Sequence, residues 1–321
     1  MTTPSEIYPW LEQHWSFFLK RLNAQRLAHA LLIQGPMGCG KMALARAMVA
    51  RLLCREGQPC ACGSCRSCEL LAGGAHPDSF ELQPEEGSEI VKIDQVRDLI
   101  ARLGLTTSIS SRKVACIHPA ETMNMAAANA LLKSLEEPAG NTVLILVSNN
   151  PGRLPVTIRS RCQAISVQPP DKERVLDWLE KTSGEPAGRT GVALTAAGGS
   201  PLRAIEYLTD ALDGYGQIRQ ELITLLEQPA SVPQVNQQLA SLNPVDLWRW
   251  ISLCCSEIII SVMTEVPLHW LPVNMNLRTE TLFQLQRQAD INRELSSTQL
   301  RGDLLLQDWL IRWAEQDIRI V

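Results

Sequence analysis

The chain has no excess of charge: 34 acidic against 30 basic residues leave a net charge of -4, and charged residues make up only 20% of it. That balance excludes a protein drawn to nucleic acid or anionic lipid by its overall field, so any contact with DNA must be local or supplied by partners. Long hydrophobic runs are missing too. The most apolar later stretch, 251–263, is broken by Glu257 and falls short of the roughly 20 residues that cross a bilayer, so it reads as a buried helix. Residues 1–19 lack the basic start, apolar middle and small-residue cleavage site of a secretion signal, which leads us to expect a cytoplasmic protein. There is no internal repeat and no low-complexity segment.

What is present divides the 321 residues into two kinds of pattern. Between residues 30 and 167, short apolar runs at 30–34, 80–82, 114–117, 143–147 and 164–167 alternate with helical spacing, as in a parallel sheet with crossover helices. Ile93, Val96, Leu99, Ile100 and Leu103 share a helix face, and 123–135 reads as a helix ended by Pro138. Gln168-Pro169-Pro170 breaks the pattern, because consecutive prolines continue neither helix nor central strand. Beyond it only helices are expected: a small unit to about residue 208, then a bundle holding Trp248, Trp250, Trp309 and Trp313, with Gly214 and Gly216 marking the boundary. The expected class is α/β plus all-α, with domains at 1–168, 169–208 and 209–321.

Gly35-Pro36-Met37-Gly38-Cys39-Gly40-Lys41-Met42 follows the first strand and opens the helical run 43–53, which is the context of a phosphate loop. Glycines let backbone N–H groups close around phosphate oxygens, the helix dipole favours the negative charge, and Lys41 reaches the outer phosphates. The hydrolytic parts are absent. Met42 stands where a serine or threonine would bind magnesium, and a thioether is a poor ligand for a hard cation. The strand 114–117 runs into His118-Pro119-Ala120-Glu121 where acidic residues would hold the metal and polarise water, and Glu121 is displaced toward the next helix. ATP and magnesium are therefore not expected to be turned over by this chain.

Ten cysteines in an intracellular chain, five of them within 54–68, point to metal rather than disulfides. Cys54, Cys62, Cys65 and Cys68 have the spacing C-x7-C-x2-C-x2-C, which can present four thiolates to one tetrahedral zinc with no position left for water; such a zinc is structural. Cys60 is an alternative to Cys54, disfavoured because Cys60 and Cys62 are one residue apart. An iron–sulfur cluster has no redox context here, and a nucleic-acid-gripping knuckle would need more than Arg66 and some aromatics.

Several of these segments resemble one family. His29-Ala30-Leu31-Leu32 before the degenerate loop, the four-cysteine insertion after its helix, Ala127 through Pro138, Ile158-Arg159-Ser160-Arg161-Cys162 and Leu304 through Leu310 look like the delta-prime subunits of the bacterial DNA polymerase III clamp loader, which are AAA+ proteins. The resemblance implies an AAA+ sheet domain with a zinc-binding insertion, a helical lid and a C-terminal collar. It implies a hetero-pentamer with gamma/tau and delta subunits that opens a sliding clamp and loads it onto primed DNA. It further implies that Arg161 reaches a neighbouring subunit's ATP, with Arg159 as helper or decoy. Ser148-Asn149-Asn150 are similar to a phosphate-sensing turn, and Arg203 to a second sensor that leaves weak nucleotide contact possible. An active ATPase subunit and a separate zinc-dependent nucleic-acid binder are the competing readings. Met42 and Pro119 weigh against the first, the acidic balance against the second.

Overall fold

The structure is a computed structural model that describes residues 7–56, 59–210, 212–272, 278–296 and 301–315, so expectations touching residues 1–6 and 316–321 lie outside the described residues. The chain divides into two compact units. One runs to Trp178 and takes in Ser200–Leu202; the other holds Leu179–Gly199 and continues from Arg203.

In the first unit α1 (Glu12–Asn23), β1 (Ala30–Gln34), α2 (Lys41–Leu53) and α3 (Arg66–Ala72) are followed by β2 (Ser79–Leu82) and α4 (Ile93–Leu103). Then come β3 (Lys113–Ile117), α5 (Met125–Glu136), β4 (Thr142–Ser148), α6 (Val156–Arg159), β5 (Gln163–Ser166) and α7 (Lys172–Ser183), the last crossing into the second unit. The strands form one parallel sheet in the order β2-β3-β4-β1-β5. Every residue of β3 and β4 is buried, as expected of central parallel strands covered on both faces. Alternation within β1 supplies the two cores: Leu31 and Ile33 pack with Leu44, Met48 and Leu52 of α2, while Ala30 and Leu32 pack with Leu99 of α4 and Leu131 of α5. The three-layer α/β reading therefore holds.

Helix limits differ slightly from the expected ones, for local reasons. α5 starts at Met125 rather than 123, because the Asn124 side chain accepts the Ala127 N–H at 2.8 Å and caps it. α2 starts at Lys41, directly after Gly40 in the left-handed region.

The second unit is helical among the described residues: α8 (Ala187–Ala196), α9 (Pro201–Asp210, its start belonging to the first unit), α10 (Leu212–Glu227), α11 (Val232–Leu239), α12 (Pro244–Thr264), α13 (Thr279–Leu295) and α14 (Gly302–Ala314). Trp248, Trp250, Trp309 and Trp313 are its largest buried side chains. Three of their indoles donate to backbone oxygens: Trp250 to Ala196 at 3.2 Å, Trp309 to Leu285 at 2.9 Å and Trp313 to Leu222 at 2.9 Å. These bonds let bulky rings be buried without an orphaned N–H.

Two expectations are corrected here. α12 has 21 residues and is long and apolar enough to cross a membrane, so the length argument drawn from 251–263 fails. Its reading as a core helix rests instead on packing, with Trp248, Trp250, Ile251, Cys254, Cys255 and Ile258 buried in the bundle. Gly214 and Gly216 lie inside α10 rather than in a linker. A Cβ on Gly214 would stand 3.1 Å from both the Trp250 ring and Leu242, so this glycine permits close packing between helices.

Candidate nucleotide loop and metal centre

The phosphate loop leaves the end of β1 and enters α2. Gly35 has φ 149, and a Cβ there would lie 2.0 Å from the Val167 carbonyl, so only glycine lets the chain turn beside β5. Gly38 and Gly40 have φ 78 and 85, the backbone that glycine alone adopts easily. The loop thus keeps its cradle geometry, while its lysine and three of its carbonyls are engaged by the chain itself. Lys41 is buried, and its Nζ donates to the Pro36 carbonyl at 2.5 Å. Burial pulls the Lys41 ammonium below the usual lysine range, with Cys39 and Glu121 pulling it back. The Trp10 indole donates to the Cys39 carbonyl at 3.0 Å, and the Leu202 N–H to the Gly38 carbonyl at 3.2 Å. Tyr8 stacks on Trp10 with centroids 5.1 Å apart, Trp178 stands edge-on to both, and a Cβ on Gly40 would meet the Tyr8 ring at 2.6 Å. Sequence reasoning missed this aromatic trio; the only trace was a tyrosine and a tryptophan just ahead of the first helix.

Opposite the loop, the metal-holding positions carry other chemistry. Met42 is partly buried and packs against the core beneath α2. The His118 imidazole pairs with Glu81 Oε1 at 2.6 Å, and Arg46 approaches the same carboxylate at 3.7 Å, so neither His118 nor Glu81 is held for a cation. Glu121 is not at the start of α5. It sits in a single 3-10 turn, Ala120–Thr122, where its Oε1 accepts the N–H groups of Asn149 and Asn150 at 2.9 and 3.1 Å. This acid therefore tethers the turn read as the phosphate sensor. Ser148, in the same turn, is fully buried, and its hydroxyl has no hydrogen-bond partner. Arg203 lies in α9 within the second unit.

At the far end of α2 the chain enters the cysteine module. Cys54 terminates the helix, Cys62 lies in the following loop, Cys65 precedes α3 and Cys68 is on it. Their four sulfurs all lie within 4.8 Å of one another, and Cys60 is outside that set. A tetrahedral ion with bonds of about 2.3 Å to sulfur requires edges of about 3.8 Å. The Cys62 and Cys68 sulfurs are 3.9 Å apart, so the tetrad fits such an ion. Backbone N–H groups of Ser64 and Cys65 draw the Cys62 thiol down to about 6, toward the thiolate a metal needs. Burial pushes Cys68 up to about 12, so its proton is the one a metal must displace.

Arg161 follows α6 at the exposed end of the sheet domain. Its Nε donates to Glu136 Oε1 at 2.6 Å, its Nη2 pairs with the same carboxylate, and its Nη1 donates to the Thr157 carbonyl at 3.0 Å. The side chain remains 35% exposed. Arg159, two residues earlier at the end of α6, is exposed.

A phosphate loop between β1 and α2 of a parallel sheet ordered β2-β3-β4-β1-β5, joined to helical domains, makes this an AAA+ protein. Comparison with known families and proteins narrows the class. Residues 10–171 match the family described as "DNA polymerase III, delta subunit". The DNA polymerase III subunit delta' of Pseudomonas aeruginosa is 43% identical over 251 residues, 78% of this chain and 73% of that protein. The delta' subunit of Yersinia pestis is 31% identical over 95% of both chains. The tau subunit of Escherichia coli is 30% identical over 212 residues, 64% of this chain and 32% of tau. The chain belongs to the delta-prime family of DNA polymerase III subunits.

Proposed function

We propose that this chain is a non-hydrolysing clamp-loader subunit: a scaffold that supplies Arg161 to a neighbouring subunit's ATP site while the assembly loads a sliding clamp onto primed DNA in the cytoplasm. The observation that carries the reading is Met42, a thioether packed on the core where magnesium would need an oxygen. His118 and Pro119 at the end of β3 leave the second half of the metal site without an acid. Lys41, the residue that would reach the outer phosphates, is also spent on the Pro36 carbonyl. A nucleotide would have to draw Lys41 off Pro36; Gly35, Gly38, Gly40, Lys41 and Met42 are a remnant, with Arg203 as any residual contact.

Arg161 suits the donor role on energetic grounds. An ion pair as exposed as Arg161–Glu136 is worth about 0–1 kcal/mol, whereas an arginine finger contributes about 10³–10⁵ in rate, or about 4–7 kcal/mol. Leaving Glu136 for a transferring phosphoryl group is thus easily offset. The partners are gamma/tau and delta subunits in a hetero-pentamer, with 1–168 as the AAA+ domain, 169–208 as lid and 209–321 as collar. Zinc, held by Cys54, Cys62, Cys65 and Cys68, acts structurally: with four sulfurs around it no position remains for water.

The test is ATP turnover of the assembly reconstituted with its sister subunits, stimulated by primed DNA and clamp. Arg161→Ala is expected to slow the neighbouring site by on the order of 10³, and Lys41→Ala to leave turnover unchanged. Turnover lost with Lys41→Ala and kept with Arg161→Ala would mean that this loop hydrolyses ATP itself.

A further inference from the structure

Behind the cysteine module lies a buried polar network that neither the nucleotide loop nor the arginine uses. Ser67, on α3 between Cys65 and Cys68, is 1% exposed; His76, Asp78 and Ser110 are 5%, 0% and 7% exposed. The Asp78 N–H donates to His76 Nδ1 at 3.0 Å, which leaves the proton on Nε2. That nitrogen donates to Ser67 Oγ at 2.8 Å and lies 3.3 Å from Ser110 Oγ. Both serine hydroxyls then donate to one acceptor, the Leu53 carbonyl, at 2.7 and 3.0 Å. Ser110 is itself fixed, because the Asp78 carboxylate accepts the N–H groups of Ser108, Ile109 and Ser110, each at 2.8 Å. Since Ser67 passes its proton to Leu53 and receives one from His76, the imidazole has no lone pair free toward the serine, and the trio is not a nucleophile with its base.

The place of the network gives it a role. Leu53 is the last residue of α2, and its carbonyl is among those a helix end leaves without an internal partner. It immediately precedes Cys54, as Ser67 immediately precedes Cys68. The bond from Ser67 to Leu53 therefore ties together the two chain segments that supply the outermost cysteines, 14 residues apart, and Ser110 fixes the same carbonyl from the segment that leads into β3.

We propose that Ser67, His76 and Ser110 are positioning residues for the metal centre, holding Cys54 and Cys68 at chelating distance before an ion arrives. The inference rests on the reading that the tetrad binds zinc. Closing the 54–68 loop in advance removes an entropy cost that the metal would otherwise bear, and loss of a supporting contact around a ligand typically lowers metal affinity about 10–100-fold.

The test uses the full chain, with zinc affinity measured by competition against a chromophoric chelator and coordination read from the visible spectrum after cobalt substitution. Ser67→Ala and Ser110→Ala are each expected to weaken zinc binding about 10-fold or more, while cobalt keeps the spectrum of four thiolates. Ser110 is distant in sequence from the four tetrad cysteines and lies outside α3, so its effect cannot come from altered helix propensity there. Wild-type affinity in both variants, with equal loss of stability in the metal-free and zinc-loaded forms, would overturn the proposal and leave the tetrad reading standing. If the unaltered chain takes up no zinc, both fall together.

Discussion

The two ends of helix α2 carry two candidate sites of opposite character. At its start the glycine loop keeps its left-handed backbone and its lysine, yet a thioether stands where an oxygen would hold magnesium, and Lys41 is bonded to Pro36. At its end four sulfurs lie within 4.8 Å of one another, and the helix's last carbonyl is fixed by two buried hydroxyls. One end has shape without ligands, the other has ligands and support. Backbone that the packing needs is pinned by close contacts at Gly35 and Gly40, whereas the Met42 side chain is set only by the core beneath it. Gly40 is retained for its φ and for the Tyr8 ring above it.

The sharpest way to break this contrast is at the metal end. Cys68→Ser removes one of four thiolates, and if structural zinc is held by about 10–16 kcal/mol in all, one ligand is worth roughly a quarter of that, or on the order of 100-fold in affinity. We expect the purified variant to lose its zinc on dialysis and to exchange the amide protons of 54–72 faster, while the sheet stays protected. Loss of protection throughout β1, β3 and β4 would mean that the module supports the whole domain.

A smaller effect comes from acid. Burial holds the His76 imidazole below its usual value, with Asp78 pulling it back. The unfolded chain therefore takes up a proton first as pH falls, so this part of the stability is whole above about 6.5 and is lost below it. For Asp78, burial pushes the carboxyl up, but the N–H groups of Ser110, Ile109 and Ser108 outweigh it and hold it low, which adds a second loss beginning below about 3.9. Denaturation midpoints at about pH 7.5 and pH 5.5 should differ more in the unaltered chain than in His76→Gln. Equal differences would remove His76 as the source.

The smallest expected effect is at the start of the helix. Met42→Thr restores the missing hydroxyl, yet binding of a fluorescent ATP analogue with magnesium should not rise detectably, because His118 and Pro119 still offer no acid and the loop remains occupied by its own chain. A clear gain would show that the thioether alone had closed the site.

Much of the fold could be read in advance, and the reasons are physical. All five parallel strands are short apolar runs bounded by turns, and the three central ones, β1, β3 and β4, are so deeply covered that their unbroken apolar character and their burial agree. The cysteine tetrad was readable because chelation imposes its own spacing. What escaped was set by tertiary contact. Glycines at 214 and 216 looked like a linker until Trp250 was seen against Gly214. Glu121 looked like the opening of a helix until its carboxylate was found on the Asn149 and Asn150 N–H groups. Ser67 and Ser110, 43 positions apart, donate to one carbonyl, and His76 bonds to both hydroxyls. His-Pro-Asp after the last cysteine was the only hint, and it has no meaning without the fold.

The indole of Trp10 has a use outside energetics. Shielded from water, bonded to the Cys39 carbonyl and set edge-to-face against Trp178, it should emit at shorter wavelength than a hydrated tryptophan. Any event that prises the loop open, whether ligand, neighbour or denaturant, would shift that colour, so the loop carries its own optical reporter.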